Sequence, residues 1–327
     1  MDFGLSPPHP PPMLRRMTYR FIALALVASS TFHLVSCGTD PDLPIMAGNT
    51  QAAASDGEKF YQKAKQADDA GKAGKAIKLY DETATRYPFA PSAPQARFRQ
   101  AQLLEQQGDI VKSFEAYDKF LSRFQGSGLY STALNRQIAM AQSAADGDVK
   151  QSLLGLKTRL SLDKTVEMLG KVRDNAPKSA AASKAQFTIG RLSEGKKKSK
   201  EAIAAYRQLV RDQPGSAQAP EALFRIGLIL TAEADRGNQN QANLDLAREA
   251  FNDYLIQYPG HSRNAEARKF IANVGGKDLQ RTYEIAEFYQ KTGKLESAKV
   301  YYRDIVKRTS TGALHDKART RLKELGE

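Results

Sequence analysis

Beyond residue 55, apolar side chains recur every three or four positions in long runs broken at Gly or Pro, a period that puts one apolar stripe on a helix in each run. No alternation of Val and Ile predicts strands, so residues 56–327 are expected to be all-α. One pattern repeats along them: a small residue, a large apolar residue four positions later, and a Pro or polar helix stop twelve positions later. Six copies fit: Ala76/Tyr80/Pro88, Ser113/Tyr117/Gln125, Thr165/Leu169/Pro177, Ala202/Tyr206/Pro214, Ala247/Phe251/Pro259 and Ala298/Tyr302/Ser310. The stops are 37, 52, 37, 45 and 51 residues apart, with extra sequence near 146–160, 232–242 and 262–277. Each copy is preceded by a second helix whose small crossing residue is expected at Ala64, Ala101, Ala139, Gly190, Gly227 and Ala286, since two helices approach closely only over small side chains. Three residues before these come Tyr61, Phe98, Arg136, Phe187, Phe224 and Tyr283, an aromatic row containing one arginine. The last periodic stretch, Leu314 to Leu325, carries Lys and Arg on its outer side and predicts a solvating cap helix.

With Gly71, Gly108 and Gly293 at turns, small crossing residues, an aromatic one turn later and Pro ending the second helix, the pattern resembles the tetratricopeptide repeat (TPR). The resemblance implies a TPR-type α-solenoid of about six antiparallel helix pairs with a C-terminal cap helix. It also implies that the row Tyr61, Phe98, Arg136, Phe187, Phe224 and Tyr283 faces a concave surface where peptides dock. The other reading of the aromatics is core shared between neighbouring repeats.

The amino-terminal residues follow a different pattern. A basic stretch with Arg15, Arg16 and Arg20 precedes Phe21 to Leu34, whose side chains are small, apolar or weakly polar apart from His33, and then Val35-Ser36-Cys37. Charge, short apolar run and small residues describe a secretory signal peptide over 1–36, too short for a comfortable membrane span. Five prolines within residues 1–12 make Met13 a candidate for the true start. Leu34-Val35-Ser36-Cys37 matches the lipobox of bacterial lipoproteins, whose cysteine receives diacylglycerol and, after cleavage, an N-acyl chain such as palmitate. Several acyl chains on Cys37 would hold a membrane where one is marginal. Gly38 follows the cysteine, and by resemblance to proteobacterial lipoproteins this implies the outer membrane. Residues 37–55, rich in Gly, Pro, Asp and Ala, are expected to form a flexible tether.

Composition removes several chemistries. One cysteine in 327 residues excludes an internal disulfide and a multi-cysteine metal site. His261 and His315 lack His or Cys partners at ligand spacing, so neither a zinc site nor a Ser-His-Asp triad is supported. Gly190 to Lys197 approaches a phosphate-binding loop, but Lys197 replaces the hydroxyl that would hold magnesium, and no strand precedes it. The carboxylates of Asp68-Asp69 lie at a turn where nothing predicts a raised pKa, and Lys196 to Lys200 reads as a solvated turn. The net charge of +13 is spread along helices among acidic neighbours, which does not describe a nucleic-acid surface. No enzyme is expected, no nucleotide, no metal and no cofactor beyond the lipid on Cys37.

Phrases between repeats narrow the kinship. Tyr87-Pro-Phe-Ala-Pro-Ser, Gln213-Pro-Gly-Ser-Ala-Gln-Ala-Pro-Glu-Ala and Tyr258-Pro-Gly-His-Ser-Arg-Asn-Ala-Glu-Ala resemble those of the BamD (YfiO) family of outer-membrane assembly lipoproteins, as does Tyr283 to Tyr302. Periplasmic coordinators of the Tol-Pal type use similar phrases. The first resemblance implies a lipid-anchored scaffold facing the periplasm that binds barrel-assembly subunits and unfolded outer-membrane protein segments. The second implies a TPR lipoprotein coordinating cell-envelope or peptidoglycan machinery.

Overall fold

A computed structural model of the chain describes residues 50–153, 156–236 and 241–327. The expected leader, Cys37 and the first part of the expected tether lie outside the described residues. Helix α1, Thr50–Asp69, begins inside the segment read as tether, so the helical array starts before residue 56.

Six antiparallel pairs follow in order: α1 with α2 (Ala73–Arg86), α3 (Ala93–Gln106) with α4 (Ile110–Arg123), α5 (Tyr130–Asp146) with α6 (Leu162–Asn175), and α7 (Ala180–Gly195) with α8 (Ser199–Asp212). The last two are α9 (Ala219–Arg236) with α10 (Gln241–Gln257) and α11 (Asn264–Lys291) with α12 (Leu295–Arg308). Helix α13, Ala313–Glu324, closes the array. Each helix packs on the next, the arrangement of a TPR-type solenoid. Local chemistry sets the boundaries. The side chains of Asp109, Ser161 and Ser179 accept hydrogen bonds from the backbone N–H of Lys112, Lys164 and Ala182, capping α4, α6 and α7. Arg86, Arg123, Arg173 and Arg211 each stand in the last turn of a second helix, where a cation suits the negative end of the helix dipole.

Between first and second helices the chain turns through a left-handed residue seven positions after the crossing residue. Gly71, Gly108 and Gly293 hold it at φ 70°, 78° and 77°. In the fourth pair the same place is taken by Lys197 at φ 58°, where a Cβ is crowded.

Three places depart from the expected regularity. Residues Lys150–Leu153 and Leu156–Arg159 form an antiparallel hairpin, β1 and β2, with Lys150 opposite Arg159 and Leu153 opposite Leu156. The expectation of no strands fails here because four-residue strands that complete only a local ladder need no Val/Ile alternation. The hairpin fills the extra sequence between α5 and α6. The insertion near 232–242 lengthens α9 and α10, whereas the one near 262–277 is absorbed into the 28-residue α11, whose first half packs on α10 and whose second half pairs with α12. Gly275 and Gly276 lie inside that helix, with nothing within 4 Å of where a Cβ would stand.

Four apolar clusters form the core. One centres on Ala64, Tyr80 and Ala96, and one runs from Tyr87 through Phe120 and Met168 to Ala205. A third joins Tyr206, Phe224, Phe251 and Tyr254, and the last joins Tyr283, Tyr302, Ile305 and Ala318 of the cap.

Candidate interaction surface

The second-helix pattern is buried in every unit: the small residues Ala76, Ser113, Thr165, Ala202, Ala247 and Ala298 and the large ones Tyr80, Tyr117, Leu169, Tyr206, Phe251 and Tyr302. On the first helices Ala64, Ala101, Gly190, Gly227 and Ala286 are likewise buried. Their smallness has a steric cause. A Cβ on Gly190 would lie 2.4 Å from Tyr206 Cε1, and one on Gly227 would lie 2.6 Å from Phe251 Cζ.

The third unit corrects the expected frame. Ala139 and Arg136 are both exposed, while Ala133, Gln137, Met140 and Ala141 face inward. Aligned on buried alanines, Ala133 matches Ala96 and Ala222, so the crossing position is Ile138, one residue earlier than expected. Ile138 is half-buried against the core, and α5 packs on α6 less closely than the helices of the other pairs do. The error arose because Ala139 is small, and residue size alone does not reveal which side of the helix faces in.

The five aromatics of the row pack onto second-helix aromatics of their own pairs. Tyr61 lies 5.8 Å from Tyr80, Phe98 5.6 Å from Tyr117, Phe187 5.5 Å from Tyr206, Phe224 5.2 Å from Phe251 and Tyr283 5.5 Å from Tyr302, centroid to centroid. Phe98, Phe224 and Tyr283 are buried, and Tyr61 and Phe187 are partly exposed. Arg263 covers the Phe224 ring at 3.6 Å, a cation over a π face.

Arg136 belongs to a different device, a polar ladder beside the aromatics. Tyr80 Oη donates to Asp68 at 3.3 Å, Tyr117 to Glu105 at 3.4 Å, Tyr206 to Glu194 at 2.8 Å and Tyr302 to Gln290 at 2.8 Å, always twelve residues apart. Arginine from the next first helix, 31 residues after the acid, closes three rungs: Arg99 on Asp68 at 2.6 Å, Arg136 on Glu105 at 3.5 Å and Arg225 on Glu194 at 3.0 Å. The hydroxyl thus ties the two helices of a pair, and the arginine ties the pair to its successor. In the third and fifth units Leu169 and Phe251 have no hydroxyl, so the ladder is interrupted there.

Electrostatics follow this geometry. The hydrogen bond from Arg99 holds the Asp68 carboxyl below its ordinary range, against burial. Burial and then the neighbouring acid push Tyr80 and Tyr117 well above the ordinary phenol value. Tyr206 moves the same way through burial and its bond to Glu194, and Tyr302 is pushed up to about 12, first by burial. Burial is the largest influence on Arg225 and pulls its pKa down, but the bond to Glu194 together with the charges of Glu194, Tyr206 and Glu221 raises it on balance. None of these shifts brings a group toward neutral titration, as an acid–base catalyst would need.

The remaining sequence candidates fall as follows. Gly190 to Gly195 is helical within α7, so its N–H groups serve the helix and form no phosphate cradle. His261 Nδ1 lies 2.5 Å from Tyr254 Oη, and His315 lies beside Asp316. Among the described residues no three His, Cys, Asp or Glu side chains gather to hold a metal, and no helix is long and apolar enough to cross a membrane. Cys37 lies outside the described residues. Arg136 and Asp68 stood out in the sequence for other reasons, but the pairing of ladder acids with tyrosines and arginines did not, although its 12- and 31-residue spacings were present in the chain.

Profiles described as tetratricopeptide repeat match residues 61–128 and 187–262, and a further one of the same description matches 282–310, together more than half of the chain. The unmatched stretch between the first two holds the hairpin and the shifted third unit. No curated protein matches in sequence. Similar solved structures include residues 41 to the end of MamA from Desulfovibrio magneticus RS-1, at 15% identity over 63% of this chain and 97% of that one with a TM-score of 0.27. YrrB, described as a TPR protein with an unusual peptide-binding site, is 16% identical over 69% and 91%, with a TM-score of 0.27. The apo form of RapI is 12% identical over 82% and 99%, also at 0.27. With its repeated helix pairs, its small crossing residues and these profile matches over more than half of its length, the chain belongs to the tetratricopeptide-repeat proteins, a fold of non-catalytic scaffolds for protein–protein interaction.

Proposed function

We infer that this chain is a lipid-anchored TPR scaffold on the periplasmic face of the outer membrane, where it holds barrel-assembly subunits and receives unfolded outer-membrane protein segments. The observation that carries the anchor is Leu34-Val35-Ser36-Cys37 at the end of a short apolar leader, the cysteine being the chain's only thiol. Support for barrel assembly comes from the phrases between repeats, beginning at Tyr87, Gln213 and Tyr258. A solenoid suits such work because each interface buries core only between neighbours, so a long surface is presented at modest cost per unit.

Radioactive palmitate supplied to cells making the wild-type chain or Cys37→Ser tests the anchor, with label expected in the first and none in the second. Crosslinking and purification from membranes tests the partner. Recovery of the barrel-forming subunit is the expected result; recovery of Tol-Pal or wall-synthesis proteins in its place assigns the chain to envelope coordination.

A further inference from the structure

The second helices α8 and α10 lie either side of α9, which packs against both, and a valley of about 440 Å³ runs between them. Its floor is apolar: Leu223 and Ile226 of α9, with Val210 of α8 and Leu246 and Ala250 of α10. Its walls carry opposite charge. Arg207 and Arg211 stand on the α8 side, one turn apart; Glu249 and Asp253 stand on the α10 side, also one turn apart. These charges do not satisfy one another. Among the described residues Arg207, Glu249 and Asp253 make no ion pair, and Arg211 reaches only its neighbour Asp212 at 3.4 Å. Elsewhere on the molecule, oppositely charged residues one turn apart commonly close, as Arg225 does with Glu221 and Arg248 with Asp245. The apolar content also continues to the rim: Leu246 is 39% exposed, and Ile256, seven residues after Glu249 and so on the same flank of α10, is 76% exposed.

We propose that this valley docks an amphipathic α-helix of a partner protein, its apolar stripe on Val210 and Leu246 above the buried Leu223 and Ile226, an acidic flank toward Arg207 and Arg211, and a basic flank toward Glu249 and Asp253. Two parallel helices separated by one beneath them offer side-chain ridges at one-turn intervals, the spacing into which a third helix's ridges fit. From Leu246 to Gln257 the wall follows about three turns of helix, enough for apolar anchors at i, i+3, i+4 and i+7. Opposite walls also fix polarity: a helix laid in backwards would set like charges against each other. This surface lies along the second helices, on different residues from the aromatic row. It rests on the scaffold reading alone and is independent of the membrane assignment, so a failed palmitate experiment leaves it standing.

The full-length chain in detergent micelles is panned against a display library of helical peptides with apolar i, i+3, i+4, i+7 positions and randomised flanks. Enriched peptides are expected to be acidic along one flank and basic along the other. Their affinity should fall at least tenfold for the R207E/R211E double variant and for Leu246→Asp, and should return for the first when the peptide's acidic flank is changed to Lys. All three substituted residues are exposed, and a circular-dichroism melt confirms that the variants fold. Absence of enrichment, peptides that bind the variants as tightly as the parent, or sedimentation showing a second copy of this chain seated in the valley would each overturn the proposal.

Discussion

Three rungs of the ladder bring a tyrosine hydroxyl, a carboxylate and an arginine together, and the first of them is the most complete. Arg99 grips Asp68 through two nitrogens, at 2.6 and 3.1 Å, while Tyr80 donates to the same carboxylate. Charge-assisted bonds of this kind contribute about 1.5–3 kcal/mol where they are shielded, and the Asp68 side chain is only 14% exposed. Asp68→Asn is therefore expected to lower unfolding stability at pH 7 by about 2 kcal/mol. Because the folded Asp68 pKa is depressed, its contribution is complete above the ordinary value of 3.8 and fades as pH falls through the lower folded value. The gap between variant and parent should then narrow below that pH, which urea titrations at pH 7 and pH 3 measure. Lys197 presents the opposite case, a residue working against its backbone. Lys197→Gly relieves the left-handed strain and is expected to raise stability by about 1 kcal/mol in a denaturant melt.

The helices respond differently to the same change at different glycines. In α7 and α9 the glycines are the contact: Gly190→Ala or Gly227→Ala drives a methyl into Tyr206 or Phe251 and should cost roughly 1–3 kcal/mol, although alanine is the better helix former. In α11 the glycines touch nothing. The double change Gly275→Ala and Gly276→Ala should stabilise by about 1–2 kcal/mol, since each glycine weakens a helix interior by roughly 0.5–1 kcal/mol relative to alanine. Thermal unfolding of the three variants side by side separates the two cases by sign. Four of the six first-helix crossing residues could be found from spacing, twelve positions before the small residue of the second helix, because the pair's turn is short. Gly227, twenty positions before Ala247 across an insertion, could be found from its size and the Phe224 before it. The third could not, since the hairpin between α5 and α6 breaks that spacing.

As a whole the array depends on neighbours, so its end is a vulnerable point. Helix α13 covers Tyr283, Tyr302 and Ile305 through Ala318, with Leu314, Leu322 and Leu325 packed alongside, and Glu327 pairs with Arg303. Deleting residues 312–327 uncovers that cluster. Losing two or three buried apolar side chains costs on the order of 3 kcal/mol or more, which should lower the melting temperature by roughly 5 °C and promote association through the bared face. An unchanged melt would show that α13 does not cap the array. The valley between α8 and α10 also exists only at this scale, since its floor and walls come from three helices.

The order of helix pairs, their small crossing residues and the cap follow from the sequence by itself, because helical periodicity, turn glycines and proline stops are local and repeat at measurable spacing. The pattern read as a leader and lipobox ending at Cys37 is equally local. Only the tertiary structure decided that Ile138 crosses in the third unit, that α11 runs unbroken through two glycines, that arginines 31 residues away close the ladder, and that opposed charges flank an apolar valley. Those features depend on which faces of distant helices meet, and a one-residue rotation of a helix that leaves its period intact changes every one of its partners.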